Sequence, residues 1–228
     1  MIKKFKNILI VAPHADDEIL GCGGIISKYK NLNFNILTCS NANLGAPEIF
    51  PRSYIENIRK EAKKSHDYLG IKKNINLNLP APRLDQYPIY KISNMIRDIL
   101  SKNNFDTVFL PSISDLHVDH KVIAHCTLVA TRPLNNKMKL NLISYEILSE
   151  TDWGALEYEN HFSPNFYISL SKKDLNQKIK AFKFFKSQNK KNNHPRSSNG
   201  IKSLSEYRGK FICEKYAEAF KIIRLSDT

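Results

Sequence analysis

The sequence contains no CxxC pair; its four cysteines, Cys22, Cys39, Cys126 and Cys213, stand far apart. That spacing excludes a disulfide framework and a zinc ribbon, and it suits a reducing compartment. No apolar run approaches the ~18 residues that a membrane span needs. The opening "MIKKFKNILIVAP" resembles a signal peptide, but its apolar stretch is too short and runs straight into acidic residues. A cytoplasmic location is therefore expected. Glycine is scarce, at 8 of 228 residues, and no Gly-, Pro- or Ser-rich linker or internal repeat divides the chain. Residues 1–228 read as one domain, a length at which a single core buries roughly 70% of the unfolded surface.

Acidic residues are also in deficit, 22 against 35 Lys and Arg, giving a formal net charge of +13. Such a balance suits an acidic partner. Here the excess is spread along the length as Lys, and no RNA- or DNA-binding signature accompanies it, so no nucleic-acid partner is expected. A small, mildly acidic or phosphorylated substrate fits the charge better. The sequence does not reveal whether copies associate as a homo-oligomer.

The continuously apolar, branched stretch at 8–12 reads as a buried strand, as does 34–39, with further strands at 75–79 and 106–112. Helical patterns at 18–30, 53–69, 89–101 and 120–131 alternate with them; Gly70 stops the second and Pro133 closes the fourth. Alternation of this kind predicts a Rossmann-like α/β fold with a mostly parallel sheet and helices on both faces. Beyond it, strands are expected at 140–148 and 166–170, helices at 172–186 and 201–213, an exposed polar loop at 187–200, and an edge strand at 220–225.

In open parallel sheets, ligands bind beyond the carboxyl ends of the strands. Two strands here end in metal-binding residue types. "APHADDE" supplies His14, Asp16 and Asp17, and "DLHVDH" supplies Asp115, His117, Asp119 and His120. Adjacent acids repel one another unless something positive sits among them, and a divalent cation would answer that need. His14 and Asp17 could face one ion, with either His117 or His120 completing a three-ligand set and leaving an open catalytic position. The spare acid and spare histidine would then move protons. Helix capping would explain the acids alone, and a surface loop would explain "HVDH" alone, but their recurrence at equivalent strand ends favours one shared site.

"PHADDE" and "HVDH" resemble the two signature motifs of the LmbE-like, or PIG-L, family of zinc-dependent N-acetylglucosaminyl deacetylases. "DEILGCGGII", "RKEAKKSHDYLGI", "SQ…HPRS" and "YAEAF" extend the resemblance over nearly the whole chain. It implies one zinc ion held by His14, Asp17 and His120, with Asp16 as general base. It also implies a protonated His117 steadying the oxyanion or protonating the leaving amine, oriented by Asp119. The substrate implied is a small N-acetylated amino sugar or nucleotide sugar in glycan biosynthesis. Ala15 stands where the family usually has proline, so the loop loses a fixed backbone angle. "TCSNANLG" also departs from the family pattern. Arg59, Arg196 and His194 are candidate substrate contacts, and Trp153 could stack on a sugar ring. Two other readings use the same residues: a metal-stabilised sugar-binding module, and a two-histidine, one-carboxylate iron enzyme.

Overall fold

Strand β1 (Asn7–Ala12) is buried from Ile8 to Ala12 because its neighbours cover both faces. Ile8 and Ile10 point into one core, and Leu9 and Val11 into the other, as the two-residue period of a strand requires. The first core is closed by helices α1 (Asp17–Lys28), α3 (Arg52–Leu69) and α6 (Lys172–Phe182). The second is closed by α4 (Ile89–Lys102) and α5 (Val118–Ala130). The structure, a computed structural model, describes residues 2–133, 139–154, 161–191 and 193–226.

The sheet has seven strands in the order β3-β2-β1-β4-β5-β7-β6. β2 (Asn33–Ser40), β3 (Lys73–Leu79), β4 (Thr107–Pro111) and β5 (Asn141–Tyr145) run parallel with β1. The chain adds β2 and β3 on one side of β1 and then returns to add β4 on the other. The order therefore reverses between β1 and β4. Crevices at such a reversal are where open α/β sheets take their ligands.

The far side corrects one expectation. The last strand, β7 (Ala217–Arg224), is not an edge: it pairs antiparallel with β5 and also with β6 (Phe166–Ser169), which forms the edge. Its first half, "AEAF", is buried, but the small residues and Glu218 hid it from a hydrophobicity reading. A second correction concerns 187–200, which is not simply an exposed loop. Apart from residue 192, which lies outside the described set, it folds back toward β1 and starts α7 (Ser198–Lys210) at residue 198, with the Ser197 hydroxyl accepting the Gly200 N–H. A four-residue helix, α2 (Ala42–Gly45), which the sequence did not announce, is capped by Asn41.

Close packing of α1 on the sheet needs its glycines. A Cβ on Gly21 would stand 2.1 Å from a ring carbon of Tyr145, whose hydroxyl donates to the Val11 carbonyl at 2.7 Å. That contact holds the start of α1 against the end of β1, where the candidate site begins.

Candidate active site

Helix α1 begins immediately after β1, and His14 to Asp17 form the turn between them. Asp17 is completely buried, and its Oδ2 accepts the His14 backbone N–H at 2.8 Å. On the neighbouring strand, the turn after β4 leads to His117, the N-cap of α5, and to the buried His120. The two turns meet across the order reversal. His14 Nδ1 lies 3.0 Å from His120 Nε2 and 3.4 Å from Asp17 Oδ2, while His120 Nε2 lies 3.3 Å from the same oxygen. Three ligand-type atoms thus form a triangle with edges of 3.0 to 3.4 Å.

This triangle fits a metal ion. Ligand bonds of ~2.0–2.1 Å in a tetrahedral zinc site place the ligand atoms about 3.3 Å apart. Asp17 Oδ1, buried beside the triangle, has no hydrogen-bond partner. Such an orphaned acceptor costs free energy unless a cation compensates it. His117 belongs to a wider group, in which one atom each from His14, His117 and His120 lies within 4.8 Å of the others. The tighter His14–Asp17–His120 set is the better candidate because it includes the carboxylate that needs a charge.

Each histidine of the triangle is held from its far nitrogen by a carboxylate. Asp115 Oδ2 lies 2.9 Å from His120 Nδ1, and Asp119 Oδ2 lies 3.3 Å from His14 Nε2. Asp115 in turn accepts the Thr151 hydroxyl at 2.5 Å, and Asp119 accepts the Leu84 N–H at 3.2 Å. Carboxylates placed in this way fix the ring orientation of metal-binding histidines. The Asp119 carboxylate therefore meets the His14 ring. His117 is steadied by backbone: its Nδ1 accepts the Asp119 N–H at 3.1 Å.

Electrostatics of the metal-free chain point the same way. Burial lowers the pKa of His120, yet the Asp17 charge and the hydrogen bonds to Asp115 and Asp17 outweigh it and push it to about 10. Burial raises that of Asp17, but the charge and hydrogen bond of His120 and the hydrogen bond to His14 hold it well below the carboxylate range. The site draws in positive charge. His117 is pushed down to about 4 by burial and by the neighbouring His14 and His120.

Asp16 is 2% exposed and takes φ of 120°, a backbone angle that L-residues rarely adopt. Burial pushes its carboxyl up to about 8, with Arg196 opposing and Asp17 and Glu18 reinforcing the shift. Arg196 Nη1 lies 3.5 Å from Asp16 Oδ2; the same guanidinium donates to Glu150 at 2.9 Å and Ser149 at 2.8 Å.

A cavity of about 280 Å³ opens beside His14, Asp16 and His117. Phe50, Tyr54, Ile55 and Ile58 form an apolar wall; Thr38, Asn74 and Asn76 face it with hydroxyl and amide groups. Arg59 and Arg196 also line it, whereas His194 and Trp153 do not. These last two contact each other edge to face, with ring centroids 5.8 Å apart. Residues missed as site components are Glu150 and Gln188, brought in by long-range contacts, and Asp115, which "DLHVDH" contains but to which no task was assigned.

The chain matches the family model PIG-L, GlcNAc-PI de-N-acetylase, over residues 9–131, more than half its length. It belongs to that family. Among curated relatives, an uncharacterized deacetylase, YaiS, of Escherichia coli is 24% identical over 81% of this chain and 92% of its own. Diacetylchitobiose deacetylase of Thermococcus kodakarensis is 21% identical over 96% of this chain and 83% of its own. Among solved structures, N,N'-diacetylchitobiose deacetylase from Pyrococcus horikoshii superposes with a TM-score of 0.75 at 20% identity, covering 97% of this chain and 85% of that one. A 4-carboxy-2-hydroxymuconate hydratase from Pseudomonas putida shares the fold at a TM-score of 0.73 and 14% identity, covering 98% of both chains. Fold alone does not choose the reaction. Among the described residues, no helix is long and apolar enough to cross a membrane.

Proposed function

We propose that this chain hydrolyses the acetamide of a small N-acetylated amino sugar or sugar conjugate, using zinc held by His14, Asp17 and His120. The observation that carries this reading is the His14–Asp17–His120 triangle, with the buried carboxylate of Asp16, paired to Arg196, beside it on the lining of a cavity. A bound divalent ion supplies Lewis-acid polarisation of the carbonyl and a water made acidic enough to attack near neutral pH.

The chain's own residues do the rest. Asp16 accepts the proton of the attacking water and returns it to the departing nitrogen as the C–N bond breaks, giving acetate and a free amine. Arg196 holds the Asp16 carboxylate toward the cavity. His117, whose Nδ1 accepts the Asp119 N–H, carries a proton on Nε2 and donates it as a hydrogen bond to the developing oxyanion. The apolar wall and the facing amides suit a sugar, which has apolar ring faces and a polar rim. A binding module would have no use for a buried base, which favours catalysis.

The test is acetate release from a panel of N-acetylated monosaccharides, chitooligosaccharides and nucleotide sugars by the zinc-loaded protein. Release from at least one is expected. No release from any member, with tight unchanged binding of one, would overturn the reading in favour of a binding module.

A further inference from the structure

Among the described residues, four non-glycine residues have positive φ. Asn78, Ser149 and Cys213 lie between 55° and 71°, within or close to the left-handed basin, whereas Asp16 alone lies far outside it at 120°. Conformations of this kind are unfavourable and persist only where the surroundings enforce them. The Asp16 side chain makes no cap bond to α1, so helix capping does not account for the angle.

The Asp16 carbonyl accepts the Ile19 and Leu20 N–H groups at 3.0 Å each, and Glu18 grips the N–H side of this backbone. Its Oε2 accepts the Asp16 N–H at 3.1 Å, and its Oε1 accepts His66 Nε2–H at 2.7 Å. Glu18 is fully buried and His66 is 5% exposed, so neither contact is shared with bulk water. His66 belongs to α3, on the stripe of that helix that carries Ile55, Ile58 and Ala62 along the cavity wall. The helix that supplies part of the cavity lining is thereby tied to the backbone of Asp16, which also lines it.

We infer that Glu18 and His66 are positioning residues: together they hold Asp16 in its unfavourable backbone conformation so that its carboxylate faces the cavity. This rests on the role proposed for Asp16 above. Neither residue touches substrate. Without His66, one Glu18 oxygen is left buried and unpaired, and Glu18 is free to turn away from the Asp16 N–H. The turn then relaxes toward negative φ and the carboxylate swings off its target. A displacement of about 1 Å in a reacting group costs on the order of 10²-fold in rate.

The experiment compares wild type, His66→Ala and His66→Gln by crystal structure, zinc content and steady-state acetate release. Gln can still donate to Glu18. For His66→Ala, Asp16 φ is expected to become negative and kcat to fall about 10- to 100-fold, with KM and zinc content unchanged; His66→Gln restores most of both φ and kcat. An unchanged φ in His66→Ala overturns the inference, as does relaxed φ with full kcat, or a loss of rate that merely follows loss of zinc. If His66→Ala does not fold, His66→Gln carries the test: wild-type φ and near-full kcat support the inference, and a relaxed φ with full kcat overturns it. Wild-type protein that releases no acetate refutes the proposed reaction, while Asp16 φ in the variants still decides whether Glu18 and His66 hold the turn.

Discussion

The Asp115 carboxylate lies 2.9 Å from His120 Nδ1, on the side of the ring opposite the nitrogen that approaches Asp17 and His14. That contact keeps a proton on Nδ1 and turns Nε2 toward the triangle, as the nitrogen a metal ion would take once its proton is displaced. Outer carboxylates of this type typically contribute 10- to 100-fold in metal affinity. Asp115→Asn is expected to weaken zinc binding by about that factor in a chelator competition. Unchanged affinity would remove Asp115 from the site.

Asp16 and Asp17 are adjacent but have opposite surroundings. Asp17 Oδ2 faces two histidines, whereas Asp16 faces Arg196 and the cavity. Asp17→Asn should lose zinc by elemental analysis after dialysis. Asp16→Asn should keep it while acetate release falls by about 10²-fold or more, the scale of a lost general base. Equal behaviour of the two variants would contradict the division of roles.

In the metal-free chain the His120 pKa is raised to about 10, from an ordinary value of 6.5. Its protonation therefore stabilises the metal-free fold fully below about pH 6.5, and that contribution is lost as pH rises through about 10. Zinc must displace the same proton, so affinity should tighten with pH, by up to about tenfold per unit. Calorimetry at pH 7.5 in buffers of different ionisation enthalpy should count about one proton released per zinc. A pH-independent affinity would exclude His120 as a ligand.

A second buried charge pair lies away from the site. Lys178 Nζ donates to Glu218 Oε1 at 2.6 Å, and the Glu218 carboxylate also accepts the Gly24 and Ile25 N–H groups at 2.7 Å each. Lys178→Met would strand that carboxylate in the core. Urea denaturation should show a loss of about 3–5 kcal/mol, the usual cost of breaking such a pair. Zinc content of the folded fraction should stay unchanged.

Most strands and helices, and the two strand-end clusters of His14, Asp16 and Asp17 and of Asp115, His117, Asp119 and His120, were legible because each is written locally, as an apolar run or as a turn rich in ligand types, although the residues alone left His117 and His120 open as the third ligand. What escaped depends on contacts between residues far apart in sequence. Arg196 reaches Asp16 across 180 positions, and Glu18 meets His66 across 48. The β7 strand was misplaced because pairing on both sides, not hydrophobicity, makes "AEAF" an interior segment. The contact of the Asp119 carboxylate with His14 joins residues 105 positions apart, and proximity in sequence to His117 gave no sign of it.

The strand-order reversal between β1 and β4 has a consequence for how the protein is made. His14 and His120 are 106 positions apart, so the stretch of the first three strands carries only two of the three ligands, His14 and Asp17. An ion bridging the two turns would act as a noncovalent cross-link closing a long loop, the kind whose closure removes the most freedom from an unfolded chain. Zinc retention would then report that β4 has docked: a nascent chain stalled before it would fail to hold the ion, and a finished chain stripped by chelator would lose the clasp between its two halves.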